Sequence, residues 1–190
     1  MGATRTLIAD PISSRNSAAL LGSPSVDAVQ QGLGRELRRV HDRLRARVGA
    51  LESALDVGAD DATAFRDSCL AFCRALRRHH VGEDDGAFVV LRRHDPGLGD
   101  VLDALVRDHE FLDPLLDRLE VLVAGSPTTG HEVTVERELA GIAAVLENHL
   151  AHEERVLVAV LDDLRVEPGS PDDRALRAPL QRILEPDSPG

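Results

Sequence analysis

The sequence predicts an all-α protein, an up-down-up-down antiparallel four-helix bundle, on three observations. The chain is 43% hydrophobic, yet it has four Phe and no Trp or Tyr, so its interior must be aliphatic. Such interiors favour packed helices over sandwiches and barrels, which lean on aromatic and β-branched side chains. Four segments carry apolar residues at alternating spacings of three and four, the period that lines one face of a helix. Clusters of Gly, Pro and Asp separate those segments, and connections that short join antiparallel neighbours.

Taken in order, residues 1–30 are rich in Ser, Gly, Pro and Ala without periodicity and read as a flexible leader. The bundle is expected over 31–165. Its first helix carries Leu33, Leu37, Val40, Leu44, Val48, Leu51 and Leu55; its second Phe65, Cys69, Phe72, Leu76, His79, Glu83, Ala87 and Val90. The third stripe is Leu98, Leu102, Leu105, His109, Leu112, Leu116, Leu119 and Val123. Pro114 is expected to bend this helix, because proline removes one backbone hydrogen bond. The fourth stripe is Val135, Leu139, Ile142, Leu146, His149, Glu153, Val156 and Val160. Breakers fall at Gly58 to Asp61, at Asp95-Pro96-Gly97 and at Ser126 to Gly130. Residues 166–190 read as a Pro-rich peripheral tail with a short helical turn around Arg174 to Leu184.

A chain of 190 residues fits one domain. Its formal net charge of −11, with every basic residue an Arg, argues against nucleic acid, whose phosphates would be repelled. No apolar run approaches the roughly 20 residues that span a bilayer, so no membrane partner is expected. The N-terminal stretch has no apolar signal-peptide region; the short match of Gly2 and Thr6 to a myristoylation pattern is read as chance. Cys69 and Cys73 lie one helical turn apart and cannot form a disulfide framework. They read as small core residues rather than a redox couple, and the expected setting is a reducing cytoplasm.

The informative residues are the polar ones that interrupt the apolar stripes. His41 lies beside Val40 and Leu44 in the first helix; His79 and Glu83 lie in the second, His109 in the third, and His149 and Glu153 in the fourth. An uncompensated carboxylate in an aliphatic core costs several kcal/mol, so both glutamates need an interior partner, and a metal ion supplies one. Residues equidistant from a turn lie side by side in an antiparallel pair. The midpoint of His41 and His79 is 60, of His109 and His149 is 129, and of Glu83 and His109 is 96, each within a breaker cluster. All six side chains therefore converge at one height. The pattern also repeats: His41 then His79-x-x-x-Glu83, and His109 then His149-x-x-x-Glu153. In H-x-x-x-E both side chains share a helix face. Each half then offers two imidazoles and a carboxylate, a set typical of non-haem iron with open positions, and the two halves together point to two metals bridged by carboxylates. Ferritin-type sites differ in using Glu and Glu-x-x-His.

On Val40-His41-Asp42, His79-His80-Val81-Gly82-Glu83-Asp84, Asp108-His109-Glu110 and His149-Leu150-Ala151-His152-Glu153-Glu154, the chain resembles the hemerythrin family, specifically the bacterial hemerythrin-like HHE cation-binding proteins, from about Leu33 to Leu164. The resemblance implies a non-haem centre of two iron ions, carboxylate-bridged, that binds dioxygen or a related diatomic or peroxide ligand. The implied roles are oxygen carriage, sensing, or redox and peroxide chemistry, such as a peroxide-decomposing or oxidase activity; an iron-storage or iron-sensing module is a separate alternative. With no Tyr or Trp, any redox chemistry must stay at the metals. Oxygen-carrying members have a further His one turn after the third-helix His; here that place is Asp113.

Several neighbours remain open. His79 with Glu83 keeps the stripe in phase and is the preferred second-helix pair, while His80 with Asp84 is a one-residue slip that also works. Asp113 could ligate iron or be an exposed acid. His152, one turn from His149, could orient it, shuttle protons or sit on a solvated flank, and Glu154, next to Glu153, is a possible outer or alternative ligand. Gly82 and Gly86 could leave room for a small ligand, but close helix contact is the preferred reading. His94 and His131 lie at helix ends and read as structural or exposed.

Overall fold

A computed structural model describes residues 32–56, 61–125 and 130–181. The expected leader, and much of the first and third breaker clusters, lie outside the described residues. Among those described there are helices and their connections and no strand.

Helix α1, Leu33–Asp56, buries its stripe of Leu and Val along one side. Helix α2, Ala62–Gly82, starts at Asp61, whose side chain accepts hydrogen bonds from the amides of Thr63 and Ala64. That satisfies donors with no partner inside the first turn. The second rod does not stop at Gly82. It widens into a π turn over Glu83–Ala87, with the Phe88 amide donating to the Glu83 carbonyl, and resumes as α3, Phe88–His94. A π turn adds one residue to the ring and shifts the face that follows, so Phe88 and Leu91 are buried here beside Val90.

Asp95 stops the rod: its side chain accepts from the Gly97 amide and a single 3-10 turn, Pro96–Leu98, leads into α4, Gly99–Ala124. Helix α4 continues through Pro114 without a break in the helix. Helix α5, His131–Asp163, begins after Gly130, whose φ of 81° is one that glycine tolerates without strain. Helix α6, Pro171–Gln181, follows a short connection.

Cross-contacts run in opposite directions along paired helices. Near the start of α1 the Gly34 amide donates to Asp162 late in α5 (3.1 Å), while further along Arg45 donates to the earlier Glu147 (2.6 Å). Between the second rod and α4, Arg77 meets Asp117 at 2.6 Å and Arg92 meets Asp103 at 2.7 Å. Arg118 of α4 reaches Glu138 of α5.

The expected peripheral tail contributes more than a turn. Val166, Leu176 and Leu180 are buried with the main core, and Arg177 ties α6 to Glu36 of α1 at 3.0 Å. Pro179 sits inside the helix, which conceals this segment from a reading that treats proline as a helix breaker.

Candidate metal centre

Each rod delivers its polar residues from the middle of an apolar stripe. One turn along from His41, His79, His109 and His149 stand Leu44, Leu76, Leu112 and Leu146, all with 0% exposure. Leu37, Leu105 and Leu157 close the other side, so the imidazoles lie between aliphatic layers. His41, His79, His80, Glu83, His109, His149 and Glu153 are all buried, none above 3% exposed.

These seven residues form two donor sets. His41, His79, Glu83 and Glu153 bring one ligand atom each within 4.8 Å of the others, and His80, His109 and His149 do the same. The glutamates join the sets. Glu83 presents one oxygen to His79 Nε2 at 3.1 Å and the other to His109 Nε2 at 3.8 Å. Glu153 Oε2 lies 3.3 Å from His41 Nε2 and 3.7 Å from His149 Nε2. In the second set, His109 Nε2 and His149 Nε2 stand 3.2 Å apart, and His80 stacks on His109 at 4.0 Å.

Outer carboxylates face the far ring nitrogens. His41 Nδ1 meets Glu154 at 2.9 Å, and Glu154 is in turn held by Arg45 at 2.7 Å. His109 Nδ1 meets Asp84 at 2.8 Å, and His149 Nδ1 lies 3.6 Å from Asp108. Partners on the far nitrogen fix tautomer and ring direction, leaving Nε2 aimed inward as a donor to a cation.

The electrostatics fit a cation between the sets. Burial pushes His79 down to about 3, and the neighbouring His41 adds to the effect. His149 falls to about 4 for the same first cause, and His80 lies well below the usual range. These are the neutral imidazoles that metals require. Burial, helped by Glu153, drives Glu83 well above the usual carboxylate range. Burial also opposes the charged form of Glu153, but contact with His41 outweighs it and holds this carboxylate low. His41 is the reverse case: burial lowers it, and Glu153 and Glu154 together raise it. Both oxygens of Glu83 and of Glu153, and both ring nitrogens of His79 and His80, are buried without a hydrogen bond. Core polar atoms are seldom left so, and a donor set of imidazoles and carboxylates suits iron.

Residues 33–161, well over half of the chain, match the family model for the hemerythrin HHE cation-binding domain. The chain belongs to that family. No curated protein and no solved structure matches it.

The HHE domain brings together all six residues singled out from the stripes and adds a seventh, His80. The preferred His79 and its alternative His80 both point inward, one to each donor set. Adjacent residues on a helix differ by only 100°, and the core here is wide enough for both rings. Asp84 and Glu154 stand behind His109 and His41 rather than in the donor sets. His152 lies on the flank, 3.9 Å from Asp108. Asp113 takes the exposed alternative: its side chain is 57% exposed and lies 3.7 Å from Arg77 of α2. His80, on the second rod, is the further imidazole brought into the cluster. The adjacent His-His pair was the available signal for it. Gly82 and Gly86 serve close helix contact, with α6. Cys69 and Cys73 are free and buried.

Proposed function

We propose that this hemerythrin-like domain holds two non-haem iron ions in an up-down-up-down four-helix bundle and binds dioxygen or a related small ligand such as nitric oxide or peroxide. In this reading His41 and His79 serve one ion, His80, His109 and His149 serve the other, and Glu83 and Glu153 bridge them. Iron in such a set supplies an open position for a small ligand together with one-electron chemistry. The chain's own part is to hold the imidazoles in place through Glu154, Asp84 and Asp108 and to keep bulk water out with leucine layers.

The observation that carries this reading is the reach of Glu83, from His79 at 3.1 Å to His109 at 3.8 Å. A carboxylate between two donor sets, with neither oxygen hydrogen-bonded, is in the position of a bridge. No helix among the described residues is long and apolar enough to cross a membrane. With a net charge of −11, we further infer a cytoplasmic protein that avoids membranes and nucleic acid.

The test is purification without air, metal analysis and an optical spectrum before and after exposure to oxygen. Two equivalents of iron are expected, with a charge-transfer band that appears in air and fades under argon over repeated cycles. Catalytic loss of peroxide without such a band would assign the site to an oxidoreductase instead. Failure to take up stoichiometric iron from a ferrous salt would end the di-iron reading.

A further inference from the structure

The π turn at Glu83–Ala87 begins with the very residue that spans the two donor sets, and α6 lies against it. Wide turns pair an amide with the carbonyl five residues back and are rarely favoured by the helix alone, so something outside the rod must hold this one. Gly82 stands just before this turn and Gly86 lies within it. Glycine is the poorest helix former after proline, and two within one turn loosen the rod there. Their use lies in what stands opposite. A β-carbon at Gly82 would come within 2.9 Å of the Pro179 β-carbon, and one at Gly86 within 3.1 Å of the Ala175 carbonyl oxygen.

Helix α6 is itself anchored on both sides of the turn. Leu176 and Leu180 are buried in the core. Arg177 pairs with Glu36 of α1 at 3.0 Å, and Arg93 at the end of α3 pairs with Asp172 at 2.7 Å. The helix thus bridges the first rod and the second at the level of Glu83. It also lies beyond the residues matched by the family, which end at 161.

We propose that α6 is a clamp that holds the π turn in register and, through it, positions Glu83 between the two donor sets. This rests on the di-iron reading. Gly82, Gly86, Leu176 and Pro179 are then positioning residues for the bridge, although none of them reaches the imidazoles. Without the clamp the rod would relax toward a regular α-helix after Gly82, turning the Glu83 backbone and drawing its carboxylate away from His109.

The experiment is an anaerobic titration of the full chain with ferrous iron, read by the Kd of each equivalent and by the optical spectrum, with far-UV circular dichroism to verify the helices. Two variants approach the clamp from opposite sides, Gly82→Ala with Gly86→Ala on the rod and the milder Leu176→Ala on α6. Leu139→Ala, a core cavity in α5, serves as a control matched for lost thermal stability. Both clamp variants should weaken the second equivalent by about tenfold or more, the usual scale for groups that orient metal ligands, and should shift the optical band. The control should lower Tm and leave both equivalents unmoved. Wild-type affinity and spectrum in both clamp variants would overturn the proposal, as would a control that weakens iron binding equally. A wild-type chain that takes no iron would instead sink the di-iron reading and the clamp with it.

Discussion

Glu83 gives the sharpest test, because its replacement should act with opposite sign on the metal-free and the loaded protein. In the metal-free chain its carboxyl group is buried, its oxygens have no hydrogen-bond partner, and burial favours the neutral acid. A buried polar group left unsatisfied costs about 1–3 kcal/mol, a penalty that an apolar group of similar shape does not carry. Glu83→Leu keeps a side chain of similar size while removing both oxygens, so a gain of about 2 kcal/mol is expected. For a 190-residue chain that corresponds to a rise in Tm of roughly 4–8 °C. Iron reverses the order. At free iron about 100-fold above Kd, each occupied site adds about 2.7 kcal/mol to the wild type, and the leucine variant forfeits most of this along with the bridge. The assay is thermal melting by far-UV circular dichroism, in chelator and in excess ferrous iron without air. A leucine variant that melts below the wild type in chelator, or that iron stabilises as much as the wild type, would refute the reasoning.

Two further predictions concern a pair of candidate ligands and the pair of buried thiols. His80→Ala should lower iron from two equivalents to about one by metal analysis, while Asp113→Ala, at an exposed acid beside Arg77, should leave the content unchanged. Burial lifts Cys69 and Cys73 to about 12. Both thiols should therefore resist alkylation at pH 8 until the chain is unfolded, followed by mass spectrometry with and without urea. Because the folded thiols keep their protons where unfolded ones lose them, stability should fall as pH rises from about 9 toward 12, and denaturant midpoints across that window measure it.

Much of this arrangement was legible because helical periodicity and antiparallel arithmetic are both consequences of chain geometry. The stripes from Leu33 to Val160 give the rods, and equal distances from the breakers put His41, His79, His109 and His149 at one height. His80 was harder. Neighbouring residues on a helix diverge by only 100°, so periodicity alone prefers one ring and cannot show that the core is wide enough for both. The π turn left no mark, since Glu83–Ala87 has the spacing of an ordinary turn and its widening depends on what packs beside it. Helix α6 was obscured by Pro168, Pro171 and Pro179, although proline is tolerated in the first turn of a helix, where Pro171 stands. Asp113 could be settled only by Arg77, which comes from another helix.

The aliphatic wall around the imidazoles has a bearing on endurance. Cysteine, methionine, tryptophan and tyrosine are the side chains that oxidants damage first; the sequence has no Trp or Tyr, one Met at its start, and two Cys, whose thiols are buried a distance along the second rod from His79. Leu44, Leu76, Leu112 and Leu146, together with Phe88, present surfaces that offer little to burn. Under the proposed di-iron reading, such a wall leaves an oxidant that reaches the centre few reactive side chains to attack in the layers next to it.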